Sequence, residues 1–205
     1  MELEFKSLHQ VPVNHYSPLV QMLKQSWGHL NELTPTTLES RAQQQPLSYV
    51  VYVPALGERP QGIIQTIGLE FTEQINDYDY HHLMQLCPMT EPSIRLCMDI
   101  TIAEEARSLG LGEELIIWTI FNIAQREPYV NRVLTYSPEN AFRWHLRKGA
   151  KLTNITNKNG RPGHLPSGVI VTEHTERLNE YRRGIKYLSK IINTPKISSE
   201  LKSMN

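Results

Sequence analysis

Six residues, Arg107-Ser108-Leu109-Gly110-Leu111-Gly112, combine a cation, two glycines and the start of a long apolar run. Without side chains at 110 and 112, backbone N–H groups at a helix start can point directly at phosphate oxygens, and the helix dipole favours an anion there. The segment reads as a pyrophosphate cradle. Its Arg-x-x-Gly-x-Gly spacing is neither the dinucleotide fingerprint nor the P-loop, since Gly-x-Gly-x-x-Gly and Gly-Lys-Ser/Thr are both missing. Farther along stand Thr135, His145 and Arg161, which carry a hydroxyl, an imidazole and a guanidinium. Each also has an ordinary structural explanation: a strand threonine that packs, a histidine serving last-turn carbonyls, a solvated loop arginine.

These residues need a frame. Ser93 to Ile102 alternates, with Ile94, Leu96, Met98, Ile100 and Ile102 expected on one face and Arg95, Cys97, Asp99 and Thr101 on the other. Glu113 to Gln125 is apolar almost all round and reads as a buried helix closed by Pro128. Upstream, Phe5 to Val13 suits a strand, Ser17-Pro18 a helix start before Leu19 to Trp27, and Thr34-Pro35 a second start leading to Gln44. Tyr49 to Val53 and Gly62 to Phe71 form a hairpin across a turn-like Gly57-Glu58-Arg59-Pro60. Downstream come a strand at Asn131 to Tyr136, a helix at Asn140 to Lys148 stopped by Gly149, and a strand at Val169 to Thr172. Thr72 to Pro92 has no clear period. The expected fold class is α/β of the α+β kind: a mixed, mostly antiparallel central sheet flanked by helices.

A final amphipathic helix is expected from Leu178, Tyr181, Ile185, Leu188 and Ile192, with Arg182, Arg183, Lys186 and Lys190 off that stripe and Pro195 ending it. The domain reading is therefore 1–175 as one domain and 176–205 as an appended helix and loose tail. The 205 residues suit one core. The formal charge is zero, which argues against nucleic acid or an anionic membrane as partner. No signal-like N-terminus or membrane-length apolar run is seen, so a cytoplasmic location is expected. Cys87 and Cys97 read as reduced thiols, and His81, His82, His164 and His174 have no metal-ligand spacing, so no metal is expected.

The Arg107-to-Gly112 motif resembles the CoA-binding motif of the GNAT acyltransferase superfamily, whose pattern is Gln/Arg-x-x-Gly-x-Gly/Ala, and the element order is the one that fold uses. The resemblance implies cofactor contacts from Ile100, Thr101 and Ile102 on the preceding strand, from Arg107, Ser108, Leu109, Gly110, Leu111 and Gly112, and from Asn140. His145 stands where ordinary GNAT N-acetyltransferases carry a tyrosine that protonates the leaving thiolate. With Gly149-Ala150 after it, His145 is similar to the GNAT-like decarboxylase domains of polyketide loading modules and to the more distant malonyl-CoA decarboxylases. Gly160-Arg161-Pro162-Gly163 is similar to their Tyr-Arg-Pro-x, Ser167 to Val171 to their Gly-Val-Leu-Ile, and Arg132 to Thr135 to the strand carrying their active-site threonine. The insertion those domains carry between threonine strand and histidine helix is absent, and Arg161 matches with a one-residue shift.

This branch implies acetyl-CoA or malonyl-CoA as acyl donor and an acyl carrier protein as partner. Loss of CO2 from malonyl-CoA puts charge on the thioester oxygen, so His145 would be the donor to that oxygen. Thr135 would hold the departing carboxylate or help reprotonate the α-carbon, and Arg161 would pair with the malonyl carboxylate. A conventional N-acetyltransferase is the alternative: a base takes a proton from the amine, with Asp99 or Glu70 available, and His145 acts as the acid. A non-catalytic CoA-binding protein that holds a partner through its C-terminal helix is the third reading.

Overall fold

Tyr49–Tyr52 (β2) and Gly62–Gly68 (β3) are buried along their whole length, which requires cover on both faces of the sheet. In the computed structural model, which describes residues 1–26, 33–68, 94–153, 163 and 170–192, that cover comes from two helical layers. Val50, Tyr52 and Ile63 face helices α1 (Tyr16–Ser26) and α2 (Pro35–Gln44), meeting Leu19, Leu23, Leu38 and Ala42. Tyr49, Val51 and Ile64 face helix α3 (Leu111–Arg126), meeting Leu115, Ile116 and Ile120. The other strands are β1 (Glu4–Ser7), β4 (Ile94–Ile102), β5 (Arg132–Ser137), β6 (Lys151–Leu152) and β7 (Ile170–Glu173). Among the described residues the seven strands form one sheet in the order β1-β2-β3-β4-β5-β7-β6. Only the β4–β5 pair is parallel. The expected mixed, mostly antiparallel sheet flanked by helices is thus present.

Local signals explain several boundaries. Thr34 caps α2, its Oγ1 accepting from the Thr37 N–H at 3.1 Å, with Pro35 at the first helical position. Two expectations are corrected. The first strand ends at Ser7 rather than Val13, because a 3-10 turn over Leu8–Gln10 takes the chain off the sheet and buries Leu8. Ser17 does not cap α1: a 3-10 turn at Val13–His15 already delivers Tyr16 in helical conformation, so Ser17 and Pro18 fall in the first turn.

The face assignment of β4 is also corrected. Opposite β3, Ile64 pairs with Ile100 and Thr66 with Cys97, so two residues of one strand span three of the other. This bulge inverts the alternation partway along β4. Cys97 therefore shares the α3 face with Ile100 and Ile102. Burial there pushes its thiol up to about 12, so it is no thiolate at neutral pH.

A parallel pair needs a crossover, and α3 supplies it. Its exit is pinned where β4 begins. Arg95 on β4 donates through Nε to Glu127 Oε2 at 2.6 Å and through Nη2 to Glu127 Oε1, while its Nη1 reaches Gln45 Oε1 at 2.9 Å. Both charged side chains are about nine-tenths buried. The last helix, α5 (Thr175–Ile192), lies along α3, with Leu178 inside the α3-side core and Tyr181 edge-on to Phe121 at 5.9 Å between centroids. Among the described residues no helix is long and apolar enough to cross a membrane.

Replacing Arg95 with Met leaves the Glu127 carboxylate buried without its guanidinium, and should lower the unfolding free energy by ~3–5 kcal/mol. The urea midpoint reports it. Adding Glu127→Leu to the same chain should recover part of the loss, because the uncompensated charge is then gone.

Candidate active site

Strands β4 and β5 pair only from Ile94 to Cys97 and from Arg132 to Thr135. Beyond these residues β4 continues to Ile102 and β5 to Ser137 without pairing to each other. Their facing edges open into a cleft of about 410 Å³. Its walls include Ile100 and Ile102 from β4, Thr135 and Ser137 from β5, and the start of α3.

That helix start is built for an anion. Gly110 is the N-cap in the left-handed region (φ 80°), with no side-chain cap, and Ser108 takes φ 75° just before it. Among the described residues, the N–H groups of Ser108, Gly110, Leu111 and Gly112 donate to no backbone carbonyl. Free amides, a turn that gathers them and the positive helix end together favour a phosphate or pyrophosphate. A Cβ at 112 would make ordinary van der Waals contact with the Trp144 ring at 3.4 Å, so Gly112 and Trp144 face each other across this end of the cleft. Arg107 and Lys148 stand at the same cleft, and Lys148 Nζ is 2.6 Å from Glu113 Oε2. The residues present fit the diphosphate end of coenzyme A.

The opposite wall comes from helix α4 (Glu139–Arg147), whose Ala141, Trp144, His145 and, one residue past its end, Lys148 fall on one helical stripe. The helix end is fixed: Gly149 N–H bonds the Leu146 carbonyl at 3.1 Å and Ala150 N–H the His145 carbonyl at 3.0 Å, a Schellman closure with Gly149 at φ 84°. His145 is 5% exposed, edge-on to the Trp144 ring at 4.9 Å. Its Nδ1 lies 3.5 Å from Nε2 of His174, a residue 1% exposed. Desolvation lowers His145 to about 4, and desolvation together with the neighbouring His145 and Arg177 lowers His174 to about 3. Both rings are neutral at pH 7. Thr135, also buried, has its Oγ1 2.8 Å from Thr172 Oγ1 across the β5–β7 pair.

The cleft therefore brings Thr135 and His145 together with Ile100, Ile102, Arg107, Ser108, Gly110, Leu111 and Gly112. Thr101 does not line it: it pairs with Ile63 and so turns to the α1–α2 face. Leu109 is outside the lining and exposed. Arg161 and Glu70 lie outside the described residues, as do the side chains of Asn140 and Asp99. Sequence reasoning missed Ser137, Ala141, Trp144, Lys148 and His174. The helical spacing of 141, 144, 145 and 148 around the histidine was the available signal for the α4 stripe; nothing local marked His174.

No protein-family model matches the chain, and no curated protein matches it by sequence. Solved structures do. The loading GNATL domain of CurA from Lyngbya majuscula superposes with a TM-score of 0.57 at 10% identity, over 84% of this chain and 97% of that one. The aminoglycoside acetyltransferase AAC(6')-Ib, in complex with coenzyme A and kanamycin, gives 0.57 at 16% identity over 89% and 99%. The PaiA N-acetyltransferase from Thermoplasma acidophilum, with coenzyme A, gives 0.54 at 10% over 84% and 98%. The chain has the GNAT fold.

The two neutral histidines make stability depend on pH. An unfolded chain protonates them near 6.5, whereas the folded chain resists until about 4 for His145 and about 3 for His174. Their contribution is complete above pH 6.5 and is lost as pH falls through the interval below it, ~3 kcal/mol from His145 alone. Urea unfolding across that interval should show the fall. A chain carrying His145→Phe and His174→Phe should show a shallower slope.

Proposed function

We propose that this chain is an acyl-CoA enzyme of the decarboxylating GNAT branch, acting on a malonyl thioester. The observation that carries the reading is a neutral, buried imidazole and a buried threonine hydroxyl lining the same cleft as an anion cradle. The cradle and Arg107 hold the diphosphate, and the unpaired edges of β4 and β5 flank the pantetheine arm. The bond between the α-carbon and the carboxylate breaks, CO2 leaves, and the electron pair moves onto the thioester oxygen. An imidazole N–H from His145 stabilises that oxygen in a site where burial strengthens the interaction. The electron pair then returns from oxygen to the α-carbon, which takes up one proton drawn from solvent, giving acetyl-CoA. Thr135 stands at the wall from which the carboxylate or that proton can be handled. Arg161 belongs to the reading through resemblance alone, as partner of the malonyl carboxylate. Attack by a carrier protein's phosphopantetheine thiol on the acetyl thioester, with CoA thiol leaving, would complete a loading reaction in the cytoplasm.

N-acetyl transfer is the second reading, favoured by the fold likeness to acetyltransferases solved with coenzyme A. There His145 would protonate the departing thiolate.

Incubation with malonyl-CoA, followed by mass spectrometry of acetyl-CoA and CO2, separates these readings. Wild type should turn over, and His145→Ala should lose on the order of a hundredfold to a thousandfold in rate. Undiminished turnover by the variant sinks the assignment of His145. No turnover by wild type, while an amine panel is acetylated from acetyl-CoA, replaces decarboxylation with amine transfer. Binding of CoA without turnover in either panel points to a non-catalytic CoA-binding protein.

A further inference from the structure

We propose that His174 is a positioning residue: its Nε2–H donates to His145 Nδ1 and so keeps the His145 proton on Nε2, the ring nitrogen away from His174. The inference rests on the reading above only in giving His145 a chemical role.

Strand β7 and the residue after it supply the geometry. Thr172 and His174 are two apart on an extended run, which puts their side chains on one face. Thr172 Oγ1 meets Thr135 at 2.8 Å, and His174 Nε2 meets His145 at 3.5 Å. One short segment thus supports both candidate catalytic groups. The His174 backbone is held on either side of the ring, its N–H on the Val133 carbonyl at 2.8 Å and its carbonyl on the Leu178 N–H at 3.1 Å, where α5 starts. The backbone from which the ring projects is therefore set by sheet and helix together.

Two proton arrangements are open to a pair of neutral imidazoles joined Nε2 to Nδ1. If His145 donated through Nδ1, His174 would carry its own proton on Nδ1. That atom is buried and has no hydrogen-bond partner among the described residues, and a buried N–H without an acceptor is the rarer and costlier outcome. If His174 donates through Nε2, its Nδ1 is a bare lone pair, and the neighbouring Arg177 guanidinium favours that over another positive hydrogen. In this arrangement His145 Nδ1 is the acceptor and Nε2 must hold the proton. His145 then offers a donor to a thioester oxygen or a leaving thiolate, and cannot begin the reaction as a base. The 3.5 Å separation is long for a hydrogen bond, as is common before substrate tightens a site.

The test is long-range ¹H–¹⁵N NMR on the full chain labelled with ¹⁵N-histidine near neutral pH, beside steady-state kinetics. Wild type should show both His145 and His174 protonated at Nε2 and bare at Nδ1. His145 found protonated at Nδ1 overturns the proposal whether or not the protein turns over malonyl-CoA. His174→Leu should give His145 a mixture of tautomers and lower kcat on the order of ten- to a hundredfold, with KM for malonyl-CoA nearly unchanged. His174→Gln keeps a side-chain N–H donor and should restore the Nε2–H form of His145 and most of kcat. A Leu variant with wild-type kcat, or a Gln variant no better than Leu, overturns the positioning role. Loss of activity only through His174, with His145→Ala fully active, instead fails the functional reading and leaves the tautomer result standing.

Discussion

The parallel pairing of β4 with β5 ends at Cys97 and Thr135, and the rest of the molecule is arranged around that early stop. Had the ladder continued, the backbone edges of both strands would be spent on each other and no cleft would exist between them. A parallel pair also cannot be closed by a tight turn, so a helix must cross from one strand to the other. The N-terminus of that helix falls at the open end, beside Ile102, where Gly110 and Gly112 keep the amides clear. Its C-terminus falls at the closed end, where the Arg95–Glu127 pair ties it to the first residues of β4. Closing one end firmly is what lets the other stay open.

Inside the opening, desolvation decides the charge state. An imidazole in water is partly cationic near neutral pH, but His145 sits behind Trp144 with a second neutral imidazole beside it and no carboxylate among its described contacts. Nothing there compensates a buried positive charge, so the neutral form wins. The same environment strengthens a dipolar N–H aimed at a developing oxyanion, because water does not compete for it. Thr135 is treated similarly: its hydroxyl is engaged by Thr172, so its orientation is chosen by the sheet before any ligand arrives.

How much of this was legible in the sequence depends on the range of the controlling interaction. The cradle, the Thr34-Pro35 cap, the β2–β3 pair and the Gly149 stop are each decided within a few residues, and they read directly from residue type and spacing. The β4 bulge is invisible because alternation in Ile94 to Ile102 looks unbroken; only the partner strand reveals that one residue has been absorbed, placing Cys97 under α3. Ser17-Pro18 misled because a preceding 3-10 turn, itself without a distinctive signature, had already started the helix. The two-residue β6 is too short to show any period. Arg95–Glu127 and His145–His174 join residues 32 and 29 apart in the chain, so neither pair leaves a local pattern. His174 was visible only as a histidine without metal-like neighbours.

A neutral imidazole that donates makes unequal demands on the two reaction classes. Acetylation of an amine that arrives protonated needs a base before the nitrogen can attack, and a histidine already serving as donor cannot also be that base. The base must then come from another side chain. Decarboxylation starts from an ionised carboxylate and releases CO2, so no proton has to be removed; the site needs a donor for the oxyanion and, afterwards, a proton at carbon. His145 and Thr135 line one cleft, an imidazole and a hydroxyl on facing walls. A single buried neutral ring thus sets what each class of chemistry must find elsewhere: amine transfer a separate base, decarboxylation only a source of one proton for carbon.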